Sequence, residues 1–150
     1  MKYEFLNSDG GNLQATILPY VKAPTARIGI GNGAVEGGLI LPVNYKLTDL
    51  VTLTTVPEID VFKDAIGNGR HVNTVQLINL GVSLPNGFTL YGELWGDWNF
   101  DPAGTSRQFS ADAALAYGVT PYLQLDVGAN FGLSKYTPGA QVYIGVAQKF

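Results

Sequence analysis

Between short clusters of Gly, Pro, Asn and Asp, the chain alternates apolar and polar residues with period two, and almost nothing in it repeats with helical period. The alternation is clearest from Tyr122 to Ser134. Leu123, Leu125, Val127, Ala129, Phe131 and Leu133 fall on one face there, and Gln124, Asp126, Gly128, Asn130, Gly132 and Ser134 on the other. It recurs over 88–100 (Leu90, Leu94, Trp98 against Thr89, Glu93, Asp97) and over 107–119 (Phe109, Ala111, Ala113, Leu115, Tyr117 against Gln108, Ser110, Asp112). Weaker versions cover 12–23, 35–47, 50–63, 71–84 and 141–150. The pattern predicts about eight strands in a single domain over 1–150, with a further short strand at Tyr3–Leu6. One segment departs from its phase. Ile78, Leu80 and Val82 stay on the apolar face, while Val75 and Leu77 leave it, as a bulge near Gln76 or a stretch above a membrane would cause.

Length gives these strands a meaning. They run to about 11–14 residues, whereas soluble strands average about 5–6 and strands that cross a bilayer need about 9–11. The connections alternate too. Leu47–Leu50, Pro85–Gly87 and Thr120–Pro121 are tight, and Ala23–Ala34, Asp64–Arg70, Asp101–Ser106 and Lys135–Ala140 are longer. Short turns on one rim and long loops on the other are a feature of outer-membrane barrels. The expected fold is therefore all-β: an antiparallel up-and-down transmembrane β-barrel of about eight strands in the bacterial outer membrane.

That orientation places aromatic residues at two heights. Tyr45, Phe88, Tyr117 and Phe150 fall near the periplasmic rim, and Trp98, Phe100, Phe109 and Phe131 near the outer rim, as the two girdles at a lipid interface would. Val142, Ile144 and Val146 lead to the terminal Phe150 on one face. This resembles the signal read by the outer-membrane assembly machinery, although Gln148 interrupts the apolar set.

Composition narrows the chemistry. No apolar run reaches the roughly 18 residues of a membrane-spanning helix. The absence of Cys removes disulfides and thiolate sites, and a single His removes any multi-His metal site, so neither metal nor cofactor is expected. A net charge of −3 with scattered Lys and Arg argues against nucleic acid. The first residues, MKYEFLNSDGG, lack the apolar core of a signal peptide and read as a mature or trimmed start. Charged residues make up only 14% of the chain, few for the solvated exterior of a lipocalin-like soluble barrel.

In a lipid-embedded barrel the polar face turns inward. It carries Glu36, Glu58, Asp60, Glu93, Asp97, Asp112 and Asp126 with Lys22, Lys46, Lys149, Gln14, Asn44, Gln124 and Asn130. So many carboxylates against few amines must be wet or paired. A path for solutes would be lined by Glu58, Asp60, Glu93, Asp97, Asp112 and Asp126 with Lys22, beside the aromatic Tyr20, Tyr91, Trp95 and Tyr143, and would favour cations or polarisable aromatics. The alternative is a static network that only fills the barrel, because eight strands leave an interior about filled by side chains. Arg27, Lys63, Arg70, Arg107 and Lys135 sit at outer strand ends or loops, where they face lipopolysaccharide phosphates or plain solvent. Other motifs are weak. No Ser is placed to make a hydrolytic triad with His71, Gly29, Gly31 and Gly33 precede no helix, and Asp9-Gly10-Gly11-Asn12 reads as a turn before it reads as a calcium loop.

The stretches LPYVKAPT (18–25), GAVEGGLILPVNYKLTD (33–49), PEIDVFKDAIGNGRHV (57–72), LYGELWGDWNFDP (90–102) and LQLDVGANFGL (123–133) resemble, across essentially the whole chain, the outer-membrane transporter family known as the putative MetA-pathway of phenol degradation. The resemblance implies a passive transporter or porin-type barrel for small, often hydrophobic molecules, and it brings no catalytic residues. Family members carry further strands before the part that resembles KYEFLNSDGG. The chain is then either eight closed strands, a piece of a larger barrel of roughly twelve, or a homo-oligomer sharing edges, since single-chain barrels have even counts and open edges do not persist in lipid.

Overall fold

The computed structural model describes residues 3–7, 11–26 and 31–149. They form one antiparallel sheet of ten strands: β1 (Tyr3–Asn7), β2 (Leu13–Lys22), β3 (Glu36–Ile40), β4 (Val43–Lys46), β5 (Val51–Lys63), β6 (Arg70–Ser83), β7 (Phe88–Asn99), β8 (Ser106–Thr120), β9 (Leu123–Gly132) and β10 (Ala140–Gln148). A 3₁₀ turn, Pro85–Gly87, joins β6 to β7. Asn86 and Gly87 both take positive φ there, the left-handed conformation that Asn and Gly tolerate best.

β3 and β4 are two halves of one strand. Both pair with β2 and with β5 in unbroken register, Leu18↔Ile40 and Ala15↔Val43 on one side and Ile40↔Glu58 and Val43↔Thr55 on the other. The interruption is Leu41–Pro42. Pro42 has no N–H to give, but its carbonyl still accepts from Thr16 N at 2.9 Å. Counted this way, the sheet has the eight long strands read from the sequence plus the short one at β1. Sequential neighbours pair throughout, so the topology is an up-and-down meander. Among the described residues no ladder joins β10 to β1 or β2, and the outward side chains of β10 stand open, with Val142 84% and Ile144 88% exposed.

Register fixes the two faces. His71 stands opposite Phe62, Asn73 opposite Asp60 and Glu58 opposite Val75, with no shift anywhere along β5–β6. The departure of Val75 and Leu77 is therefore not a bulge near Gln76. Both residues lie on the polar face, Val75 between Glu58 and Asp97 and Leu77 between Val56 and Trp95, while Gln76 lies on the apolar face and donates to Thr55 Oγ1 at 2.7 Å. The register shifts that do occur are at Glu4/Leu6 in β1 and at Gly118/Thr120 in β8.

Burial is inverted relative to a water-soluble sheet. Among the described residues the buried side chains are chiefly polar: Thr16, Glu36, Asp60, His71, Asn73, Asp101 and Ser110, against Ala15 and Ala116 among the apolar ones. Leu94, Leu125, Val127 and Phe131 on the opposite face are exposed, and Asp126 is half-buried. The sheltered face is thus the polar one, the reverse of what the hydrophobic effect produces in water.

Candidate functional site

Tracing partners from strand to strand turns the polar face into rows. One row runs Gln14, Asn44, Thr54, Asn79, Glu93, Asp112, Asn130 and Gln141, one polar side chain from every long strand. Thr54 Oγ1 donates to Asn44 Oδ1 at 2.7 Å and Asn79 Nδ2 to Glu93 Oε2 at 3.1 Å. From one row nearer the long loops, Ser110 Oγ donates to Asp112 Oδ2 at 3.1 Å. The other carboxylate oxygen of Asp112, Oδ1, is buried without a protein partner. On the short-turn side of this belt, a half-open cavity of about 400 Å³ is lined by Tyr91, Glu93, Asp112, Asp126 and Tyr143 among others. Tyr143 lies flat across Gly128, where an added Cβ would approach its ring to 2.5 Å. Tyr91 covers Gly81 in the same way. Missing side chains at these glycines are what let the tyrosines lie down against the sheet.

Toward the long loops a second acidic group forms around Asp60, which is 1% exposed. Tyr20 reaches it across β3, donating to Asp60 Oδ1 at 2.7 Å, and Gly38 lies under that contact. Asn73 Nδ2 bridges Asp60 Oδ2 at 3.4 Å and Asp97 Oδ2 at 3.0 Å. Glu58 stands one row away, beside Val75 and Asp97. Between the two acidic groups lies an apolar row, Val56–Leu77–Trp95. The carboxylates Glu58, Asp60, Asp97, Glu93, Asp112 and Asp126 thus share a face but divide into two groups. Lys22 belongs to neither. Its Nζ pairs with Glu36 Oε2 at 2.7 Å, and the other oxygen of Glu36 accepts from Asn32 Nδ2 at 2.5 Å and Lys63 N at 3.0 Å.

The aromatic residues gather at the two rims on the apolar face. Phe88 and Tyr117, cross-strand partners, stack with centroids 4.7 Å apart, and Tyr45 is exposed near the same rim. At the other rim Trp98 and Phe109 meet edge to face at 5.3 Å over Gly96, with Phe100 and Phe131 exposed nearby. Phe150 lies outside the described residues.

The basic residues separate. Arg70 Nη1 donates to the Val35 carbonyl at 2.7 Å, tying β6 to the β2–β3 loop. Arg107 is exposed at the start of β8, and Lys135 Nζ rests 4.7 Å from the Tyr136 ring centroid. Arg27 and Gly29 lie outside the described residues, as do Asp9 and Gly10 of the calcium-loop candidate.

The sequence offered no sign of one further cluster. His71 Nδ1 lies 2.9 Å from Asp64 Oδ1 and 3.8 Å from Asp101 Oδ2, all at the long-loop rim. Backbone N–H groups of Ala103 (2.8 Å) and Ala65 (2.9 Å) bond the two Asp101 oxygens and hold that carboxyl below the usual range. Among the described residues no serine hydroxyl bonds His71, so the ring is set between two carboxylates and not in a Ser-His-Asp arrangement. Asn73 and Asn79 also carried no expectation from the sequence, and Ser110 only that of a polar-face position. Each falls in phase with an acidic neighbour in its own or the adjacent strand, which is the signal that marks them.

Comparison with curated proteins and with solved structures gives no match. The family profile described as Putative MetA-pathway of phenol degradation, by contrast, matches residues 1–150, and the chain belongs to that family.

Proposed function

We propose that this chain forms the wall of an outer-membrane β-barrel that passes small molecules through an acid-lined interior. The observation that carries the reading is the inversion of burial. Asp60 and Asn73 are 1% and 3% exposed, while Leu94, Val127 and Ile144 on the other face are 57%, 51% and 88% exposed. Leaving that face in water forfeits about 25 cal/mol for each Å² of apolar surface, whereas lipid tails accept it without cost. The two aromatic rims and the sorting of short turns from long loops support the same placement. Passage needs no covalent chemistry. Selectivity comes from carboxylates facing the path, which attract cations, and from Tyr91, Trp95 and Tyr143, whose ring faces bind cationic and polarisable solutes.

A second reading, a filled structural barrel, is favoured by the apolar row Val56–Leu77–Trp95, which occupies the polar face of β5–β7 between the acidic groups. Folding the purified chain into planar bilayers and swelling vesicles separates the two. Discrete conductance with cations favoured over anions, together with uptake of small amines or phenols, is the expected result. A heat-modifiable, vesicle-inserted protein without current or uptake would leave only the structural role. A protein that stays in the aqueous phase would remove the membrane placement itself.

A further inference from the structure

We propose that Asp64, His71 and Asp101 form a binding site for a divalent transition-metal ion of the Zn²⁺ type, clasping two of the long loops together. The three residues come from three segments. Asp64 opens the β5–β6 loop, His71 is the second residue of β6, and Asp101 lies in the β7–β8 loop. One donor atom from each lies within 4.8 Å of the other two. Metal–nitrogen and metal–oxygen bonds of about 2.0–2.2 Å require donors about 3.0–3.5 Å apart. The observed 2.9 and 3.8 Å from His71 Nδ1 to the two carboxylates bracket that range, so the imidazole already stands at ligating distance from both.

The surroundings are built for ligation. Asp101 is aimed by the Ala65 and Ala103 N–H groups, and Asp64 packs so closely on Gly69 that an added Cβ there would collide with Asp64 Oδ2. Such orienting contacts are what set the first ligands of a metal site. Charge points the same way. The Asp64 and Asp101 side chains are each 12% exposed and the His71 side chain 5%, and among the described residues no Lys or Arg pairs with either carboxylate. The nearby cations are turned elsewhere, Arg70 to the Val35 carbonyl and Lys63 Nζ to the Asn32 carbonyl. A proton on the imidazole offsets one negative charge of two, and a divalent ion offsets both.

The test uses the full chain folded in detergent or vesicles, stripped with a chelator and titrated with Zn²⁺ by calorimetry. Binding of one ion per chain is expected, with a rise in the urea midpoint. His71→Ala, Asp64→Asn and Asp101→Asn should each weaken binding at least about tenfold, the scale on which even an orienting contact counts. Asp49→Asn, in the opposite short turn, should leave binding unchanged. Co²⁺ in place of Zn²⁺ should give a visible absorption band that His71→Gln removes, a readout that survives where the alanine variant does not fold. No saturable binding, or binding untouched by all three substitutions, would overturn the site and leave a proton-held loop staple. Conductance does not enter the readout, so this result and the transport reading stand or fall separately.

Discussion

Placing the apolar face against lipid makes a depth-dependent prediction that a water-facing sheet cannot reproduce. Leu94 lies on the apolar face of β7 and is 57% exposed, and Leu90 lies on the same face, 47% exposed, near the Phe88 rim. At about 3.3 Å per residue and a tilt near 45°, a strand climbs about 2.3 Å per residue along the membrane normal. Phe88 and Trp98 are then about 23 Å apart in depth, close to the roughly 25 Å apolar band of an outer-membrane barrel. Leu94 lies about 14 Å above Phe88, near the midplane, and Leu90 only about 5 Å above it. An arginine at the midplane costs about 2–4 kcal/mol and near an interface about 0–1 kcal/mol. Leu94→Arg should therefore lower the folding equilibrium constant about 30- to 900-fold, and Leu90→Arg several-fold at most.

Urea titrations of protein folded into short-chain lipid vesicles, read by the fluorescence of Trp95 and Trp98, measure both costs on one strand. Equal costs at the two positions, or a Leu94→Arg cost under about 0.5 kcal/mol, the ordinary scale for a surface substitution in water, would refute the lipid-facing assignment. The comparison is clean because the two leucines share a strand, a face and a residue type. Differences in β-propensity and side-chain entropy therefore cancel.

Four further outcomes follow from the polar face and its rims. Gly38→Ala puts a Cβ 2.7 Å from the Ile59 carbonyl and 2.9 Å from the Tyr20 ring and into collision with Asp60 Oδ1. It should cost about 1.5–3 kcal/mol by breaking the Tyr20–Asp60 hydrogen bond, and adding it to Tyr20→Phe should cost markedly less than the sum of the two singles. Glu93→Gln with Asp112→Asn removes two charges from the wall of the 400 Å³ cavity and should lower the cation-over-anion permeability ratio, measured as a smaller reversal potential in a salt gradient. Arg107→Glu with Lys135→Glu should reduce co-purified lipopolysaccharide, measured by its phosphate content, because among the described residues neither cation has a hydrogen-bond acceptor. Arg70→Glu should instead increase proteolysis of the β2–β3 loop, since the Arg70 guanidinium holds the Val35 carbonyl.

The strands themselves were legible because period two, interrupted by Gly and Pro, is a local signal. Tyr122–Ser134 and 107–119 gave their faces away without reference to any neighbour. Val75 and Leu77 did not, because β6 carries apolar residues on both faces and its phase is decided only by what stands opposite. Opposite Val75 are Glu58 and Asp97, and opposite Leu77 are Val56 and Trp95. A bulge was the local explanation, and unbroken pairing was the nonlocal one that held. The break at Leu41–Pro42 also has a local cause, the missing N–H of proline, but its harmlessness to the register depends on β2 and β5 holding both halves. The Asp64–His71–Asp101 cluster was invisible for another reason. Two of its members sit in loops, where no periodicity carries information, and only the adjacency of β6 and β7 brings Asp101 to His71.

The two acidic groups and the apolar row between them constrain the interior more tightly than either does alone. Asp60 and Asp97 have Tyr20 and Asn73 as donors, Glu93 has Asn79, and among the described residues no Lys or Arg pairs with these carboxylates or with Glu58 beside them. Neutral donors do not offset the charge of a carboxylate, so these side chains call for water or a passing cation beside them. Val56, Leu77 and Trp95 exclude water for the same reason that the carboxylates need it. On the transport reading, these three residues form an apolar stretch of wall on β5–β7 between two acidic ones, the kind of surface from which constrictions that regulate passage by dewetting are built. A small hydrated metal ion would pay to cross Leu77 and Trp95. An amine or ammonium carried on an apolar or aromatic body satisfies the carboxylates at either side and the Trp95 ring between them. On that reading, selectivity would be set at the apolar stretch and the capture of solutes at the carboxylates.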